Sequence, residues 1–138
     1  MSADALRRGP DVRERVRWRD VDMMSVVYYG AYLRFMEAAE DEFFRTLGFP
    51  YARIAEEFGV WIARVRVEVD YRVPARLGDD LVCRADLVAL GGSSLRFAFP
   101  IDRGDGTRLA DGALTLAALD RTTLRPARLP DALRSLLR

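Results

Sequence analysis

Apolar and polar residues change their spacing several times along this chain, and each change marks a different kind of element. Val16 and Trp18 alternate with Arg15, Arg17 and Arg19, which predicts a half-buried strand ending at a loop over Asp20–Asp22. From about Tyr29 to Leu47 the period lengthens. Tyr32, Phe35, Met36, Ala39, Phe43 and Leu47 fall on one stripe of a helix, with Arg34, Glu37, Asp41 and Arg45 on another side. Gly48, with Pro50 beyond it, stops that helix. A shorter helical segment over about Tyr51–Phe58 closes at Gly59. Strict alternation then returns. Val65, Val67, Val69, Tyr71 and Val73 oppose Arg64, Arg66, Glu68, Asp70 and Arg72, predicting a long strand with one apolar face and one solvated face of cross-strand ion pairs.

Pro74 ends the regular pairing of that strand. Three further strands follow, around Leu81–Leu90, Leu95–Ile101 and Arg108–Leu119, separated by the turns Gly91-Gly92-Ser93 and Gly104-Asp105-Gly106. Residues Pro130 to Arg138 predict a short helix. The order is strand, long helix, then a meander of four strands, with no βαβ alternation and no repeat. The fold class is therefore α+β: one five-stranded antiparallel sheet, apolar on one face, wrapped around one long helix. The chain of 138 residues makes a single domain, expected over residues 12–138, with Met1 to Asp11 as a loose, flexible tail.

Composition narrows the chemistry. The chain has no His, Lys, Asn or Gln, so every basic residue is Arg. Histidine acid–base catalysis, Ser-His-Asp triads, His metal sites and Lys Schiff bases are excluded, and no metal site or cofactor is implied. The net charge is +1 and the arginines alternate with acids, which is no footprint for nucleic acid. No apolar run is long enough to span a bilayer, and the opening residues lack a signal-peptide pattern. Cys83 is the sole cysteine, so a reducing, cytoplasmic setting is expected. In a strand it reads as a core residue and not as a nucleophile.

One stretch carries chemistry: Trp18-Arg19-Asp20-Val21-Asp22-Met23-Met24-Ser25-Val26-Val27-Tyr28-Tyr29. A carboxylate, Asp22, sits in an apolar loop where Met23, Met24, Val26 and Val27 are placed to shield it from water. Seven residues on, a helix begins, with unpaired N–H groups and the positive end of its dipole. One group can attack or deprotonate and the other can hold an oxyanion, which is the minimum for acyl transfer. The bland reading of Asp22 is a loop carboxylate accepting backbone N–H groups. Asp20 reads as structural, paired with an arginine, and Glu37 is a second candidate acid. Tyr28, Tyr29 and Tyr32 read as packing aromatics, so that any role of Tyr29 lies in its backbone N–H.

These residues also carry a resemblance. Val16-Arg17-Trp18-Arg19-Asp20-Val21-Asp22, Val26 to Leu33, and Glu37-Ala38-Ala39 resemble the opening of the hot-dog-fold acyl-CoA thioesterases. The nearest subgroup is that of 4-hydroxybenzoyl-CoA thioesterase and the Tol-Pal-associated thioesterases. Val69 to Asp79 and Arg125-Pro126-Ala127-Arg128-Leu129-Pro130 are similar to later segments of the same family. The resemblance implies that Asp22 is the catalytic carboxylate, as nucleophile or as general base. It implies that the N–H of Tyr29, with Gly30 beside it, holds the thioester oxygen.

By the same resemblance the substrate is an acyl-CoA or acyl-carrier-protein thioester. The assembly is a homodimer or homotetramer with the site between subunits. The alternative on the same fold is a non-catalytic acyl-ligand binding module. Two departures stand out. Ser25 replaces the family's usual Gly, and the turn where some relatives present basic residues to CoA phosphates is here Gly91-Gly92-Ser93-Ser94. Ser93 and Ser94 are the substrate-binding candidates in that turn, as an N–H-rich loop. Arg125, Arg128 or a partner's arginine is the alternative phosphate grip.

Overall fold

The structure is a computed structural model that describes residues 5–138. The long helix, α1, spans Tyr32–Thr46 and is preceded by a 3₁₀ turn over Tyr29–Ala31. Phe35, Met36, Ala39, Phe43 and Phe44 of α1 are buried against the sheet, and Leu47 is half-buried at its end. The predicted stripe is thus the packed one, widened by Phe44. Gly112 shows how closely the helix sits: a Cβ there would fall 2.8 Å from the Met36 sulfur.

The sheet is antiparallel. Its strands are β1 (Arg7–Arg8), β2 (Val12–Arg15), β3 (Val60–Tyr71), β4 (Asp80–Cys83), β5 (Asp86–Leu90), β6 (Ser94–Arg103) and β7 (Arg108–Asp120). β1 pairs with β5 and β2 with β4, while β5 and β4 pair with successive halves of β6. The expected Leu81–Leu90 strand is therefore broken into β4 and β5, and the row beside it consists of β1 and β2. With β6, β7 and β3 they make five rows, the curled antiparallel sheet of the hot-dog fold, with β3 pairing only β7. The helices α2 (Ile54–Phe58) and α3 (Asp131–Leu137) lie where the sequence puts them.

Two expectations change. The alternation through Arg15–Arg19 is not all strand, because β2 ends at Arg15 and Trp18–Asp20 form a 3₁₀ turn. Asp20 accepts the Arg17 N–H (2.9 Å), and this local bond outcompetes a sheet ladder. Val16 is buried as expected, while Trp18 is exposed. The tail, moreover, lies partly inside the sheet: Arg7 and Arg8 pair with Leu87 and Asp86. Gly9 makes this possible, since a Cβ there would meet the Ala85 carbonyl oxygen at 2.2 Å. Residues 1–4 of the expected tail lie outside the described residues.

The same crossing breaks the Leu81–Leu90 strand. Buried Arg84 forms a fork to the Asp86 carboxylate (2.8 and 3.1 Å), and Asp86 also accepts the Gly9 N–H. Of the ion pairs along the charged face, Arg72–Asp111 crosses to β7 just past the end of β3, while Arg66–Glu68 lies within β3 itself. Among the described residues no helix is long and apolar enough to cross a membrane.

Candidate active site

Asp20 anchors the loop that presents Asp22. Its buried carboxylate receives two hydrogen bonds from Arg34 on α1 (3.0 and 2.7 Å) and the Arg17 N–H, and its carbonyl accepts the Tyr28 N–H. Burial alone would raise this carboxyl, but the Arg34 guanidinium and the Arg17 N–H together hold it below its usual range. The loop closes on itself through Asp22 N–H to Val26 O and Ser25 N–H to Asp22 O, and it is pinned to the connection between β3 and β4 by Val27 N–H on Ala75 O. Ser25 takes φ of 60°, the left-handed turn that a Gly would hold without strain.

Asp22 is exposed, and its Oδ1 accepts the Met24 N–H at 2.8 Å, which leaves Oδ2 without a partner among the described residues. The carboxylate looks into an open cleft of about 540 Å³ lined by Val26, Val27, Tyr29, Tyr32, Tyr71 and Pro74, among others. Val27 is buried and Val26 half-buried, but Met23 and Met24 are exposed, so the expected shield is only partly built by one chain.

Tyr29 lies in the same cleft at the start of the helical run. No residue among those described accepts its N–H or that of Gly30; the first internal bond is Ala31 N–H to Tyr28 O. The Tyr71 hydroxyl donates to Tyr29 O (2.8 Å) and packs edge-on to Tyr32, which clamps the helix start against β3. Sequence reasoning missed Tyr71 as part of this wall. Its signal was present, since the segment from Val69 to Pro74 is one of those that carry the family resemblance.

Glu37 lies outside the cleft, further along α1, in a groove between α1 and β3 that also holds Glu40. Glu40, only 2% exposed, was not singled out. Burial pushes its carboxyl up to about 7, opposed by the Arg64 guanidinium it contacts and reinforced by Glu37 and Asp41. Burial likewise pushes the Cys83 thiol up to about 12, in keeping with a core residue. No His/Cys/Asp/Glu group that could hold a metal occurs among the described residues.

Ser93 and Ser94 do not join the cleft within one chain. On β7, Ala110 stands beside Tyr71 at the cleft and Ala117 beside Ser94. Seven residues at ~3.3 Å each separate the two ends by about 23 Å. The turn itself is neutral, but its surroundings are not. Arg128 lies 3.1 Å from where a Gly92 Cβ would stand, Arg134 donates to Gly91 O, and both line, with Arg138, a separate pocket beside this turn.

Comparison with known proteins bears on the family and the fold. A family model described as the thioesterase-like superfamily matches residues 16–137. The acyl-CoA thioester hydrolase YbgC of Escherichia coli is 29% identical over 119 residues, covering 86% of this chain and 88% of that protein. A crystal structure of a hypothetical protein from Thermus thermophilus superposes with a TM-score of 0.83 at 31% identity, over 92% of this chain and 95% of that one. A 1,4-dihydroxy-2-naphthoyl-CoA thioesterase from Synechocystis shares the fold at a TM-score of 0.84 and 17% identity, over 94% and 95% of the two chains.

Proposed function

Because the chain belongs to the thioesterase-like superfamily, we propose that its Asp22 cleft hydrolyses acyl-CoA thioesters. The observation that carries this reading is the meeting, in one cleft, of a carboxylate with a free oxygen and a helix start with unspent N–H groups. The thioester carbonyl oxygen lies at the N–H of Tyr29, with Gly30 adjoining. There the developing negative charge gains a donor worth about 3 kcal/mol. Oδ2 of Asp22 supplies the attack, either directly, expelling the thiolate and leaving a mixed anhydride for water to open, or by taking a proton from the attacking water. Label in Asp22 after a single turnover in ¹⁸O-water would mark the anhydride route, since water opening the anhydride at the Asp22 carboxyl carbon leaves label there and the general-base route cannot.

The working unit is a homodimer, or a tetramer of two such dimers. β3 has one unpaired edge, and Val65 and Val67 beside it are 60% and 48% exposed, a surface that a second copy would cover. A partner would also complete the shield that Met23 and Met24 leave open. Light scattering at micromolar concentration should give at least twice the 15.6 kDa chain mass; a monomer would sink the shared-site reading.

The arginines around Gly91 and Gly92 support CoA over a carrier protein as the natural donor. Arg128 and Arg134 are shaped for phosphate, and in a dimer the turn of one subunit can serve the cleft of the other. The neutral turn alone would predict no nucleotide grip. With the arginines present, kcat/KM should fall about a hundredfold or more from acyl-CoA to the matching acyl-pantetheine, roughly 2.7 kcal/mol. Equal values for the two would remove the arginines from recognition.

A further inference from the structure

A second groove lies further along α1, beyond the contact of Tyr32 with Tyr71. Following the 3₁₀ turn that starts at Tyr29, one face of α1 runs through Leu33 and Met36 to Glu40. Facing it is the helix side of β3. Tyr71, Val69 and Val67 stand opposite Ala110, Gly112 and Leu114 of β7, all three buried beneath the helix. Past Val67 the strand is bulged between Arg64 and Arg66. Between α1 and β3 lies a groove of about 410 Å³, walled by Leu33, Met36, Val67 and Leu114 and floored by Glu40 and Arg64. Its volume falls within the range of small-molecule pockets, and its lining matches them too, apolar walls with a few polar groups.

The far end is the unusual part. A carboxylate on the core side of a helix costs free energy unless it is paired, and hydrophobic packing there would serve the core as well. Glu40 spends only Oε1 on Arg64; no described residue donates to Oε2. Arg64 is itself half-exposed and lies with its guanidinium 5.2 Å over the Tyr51 ring, so it keeps further donors for a ligand.

Resting on the thioester hydrolase reading, the geometry points to this groove as the acyl channel and to the Glu40–Arg64 pair as the element that reads the far end of the acyl chain. The class of substrate it fits is a medium-length acyl thioester ending in a hydroxyl. From Tyr29 to Glu40 is eleven residues, about 16 Å of helix. An extended chain covers that span with on the order of a dozen atoms, at about 1.2 Å per bond. A terminal hydroxyl donates to Oε2 of Glu40 and accepts from Arg64. A terminal methyl does neither and strips water from the pair. A terminal carboxylate meets the charge of Glu40 and, beside it, Glu37. A second copy lying along β3 would roof the groove without filling it, so the channel and the proposed dimer use the same apolar face.

The test is kcat/KM for dodecanoyl-CoA, ω-hydroxydodecanoyl-CoA and the corresponding ω-carboxyacyl-CoA, on the alkaline side of neutrality, with acetyl-CoA as the short reference. The wild-type order should be hydroxyl, methyl, carboxylate, with about tenfold between the first two. Glu40→Met should reduce the hydroxyl-to-methyl ratio to near one. Leu33→Trp, at an exposed position near the groove mouth, should lower the dodecanoyl-to-acetyl ratio at least tenfold with no core residue disturbed. Equal rates for methyl and hydroxyl ends in the wild type, a preference that survives Glu40→Met, or a dodecanoyl-to-acetyl ratio unmoved by Leu33→Trp would each overturn the assignment while leaving hydrolysis at Asp22 intact. Failure to turn over any of the thioesters would overturn the hydrolase reading and this inference with it.

Discussion

Asp22→Asn should lower kcat for acyl-CoA hydrolysis by about a thousandfold while leaving the fold and the oligomer unchanged, the scale at which a positioned acid–base group contributes. The side chain does little structural work that Asn cannot do. Its Oδ1 accepts one N–H, from Met24, and an amide oxygen accepts it as well. What Asn lacks is basicity and nucleophilicity, which matter only in the transition state. The loss should therefore fall on kcat and kcat/KM together, with little change in KM. In the proposed mechanism the free oxygen of Asp22 and the unspent N–H of Tyr29 serve the same thioester. If the variant kept most of its activity, the working acid would lie elsewhere, and Glu37 and Glu40 in the adjoining groove would be the first to replace.

Arg34→Met should cost about 3 kcal/mol of stability, read as a lowered urea midpoint at unchanged slope. Among the described residues Arg34 is the only side-chain donor to the buried Asp20, and it also holds Glu14 on β2, so it ties α1 to both the loop and the sheet. Removing it leaves Asp20 charged and buried with only the Arg17 N–H. Because Asp20 is held below the usual carboxylate range in the folded chain, its contribution is present above the unfolded value. It is lost as pH falls through the folded one. The wild type should thus lose more stability on acidification than Arg34→Met does. The double change Asp20→Asn with Arg34→Met should recover part of the loss, because no charge is then left buried without a partner. A single variant as stable as the wild type would show that the pair is not what holds the Asp22 loop.

How much of this could be read from the sequence depends on how local its cause is. The stripe of α1 was legible because burial of one helix face imposes its own period, and the Asp22 loop because a polar residue placed just before a helix start leaves a local mark. The break between β4 and β5 was not. Leu81–Leu90 is apolar on both sides of Arg84 and Asp86, while the kink comes from Gly9 crossing Ala85 and donating to Asp86, contacts over long sequence distance, and from the local Arg84–Asp86 fork. Trp18 was misplaced because Asp20 turns the chain by a hydrogen bond that alternation does not encode. Glu40 stayed hidden among the helix glutamates, since nothing in its spacing tells a buried acid from a solvated one. Ser93 and Ser94 were grouped with Asp22 by resemblance; register along β7 puts them at opposite ends of the sheet, where only a second subunit can bring them together.

The most direct test of the central claim is release of free thiol from a panel of acyl-CoAs, short, medium and aromatic, by the purified chain beside its Asp22→Asn variant. Turnover by the wild type on at least one of them, nearly abolished in the variant, is the result this account predicts. Tight binding of acyl-CoA with no thiol released anywhere in the panel would contradict it and make the protein an acyl-ligand binding module.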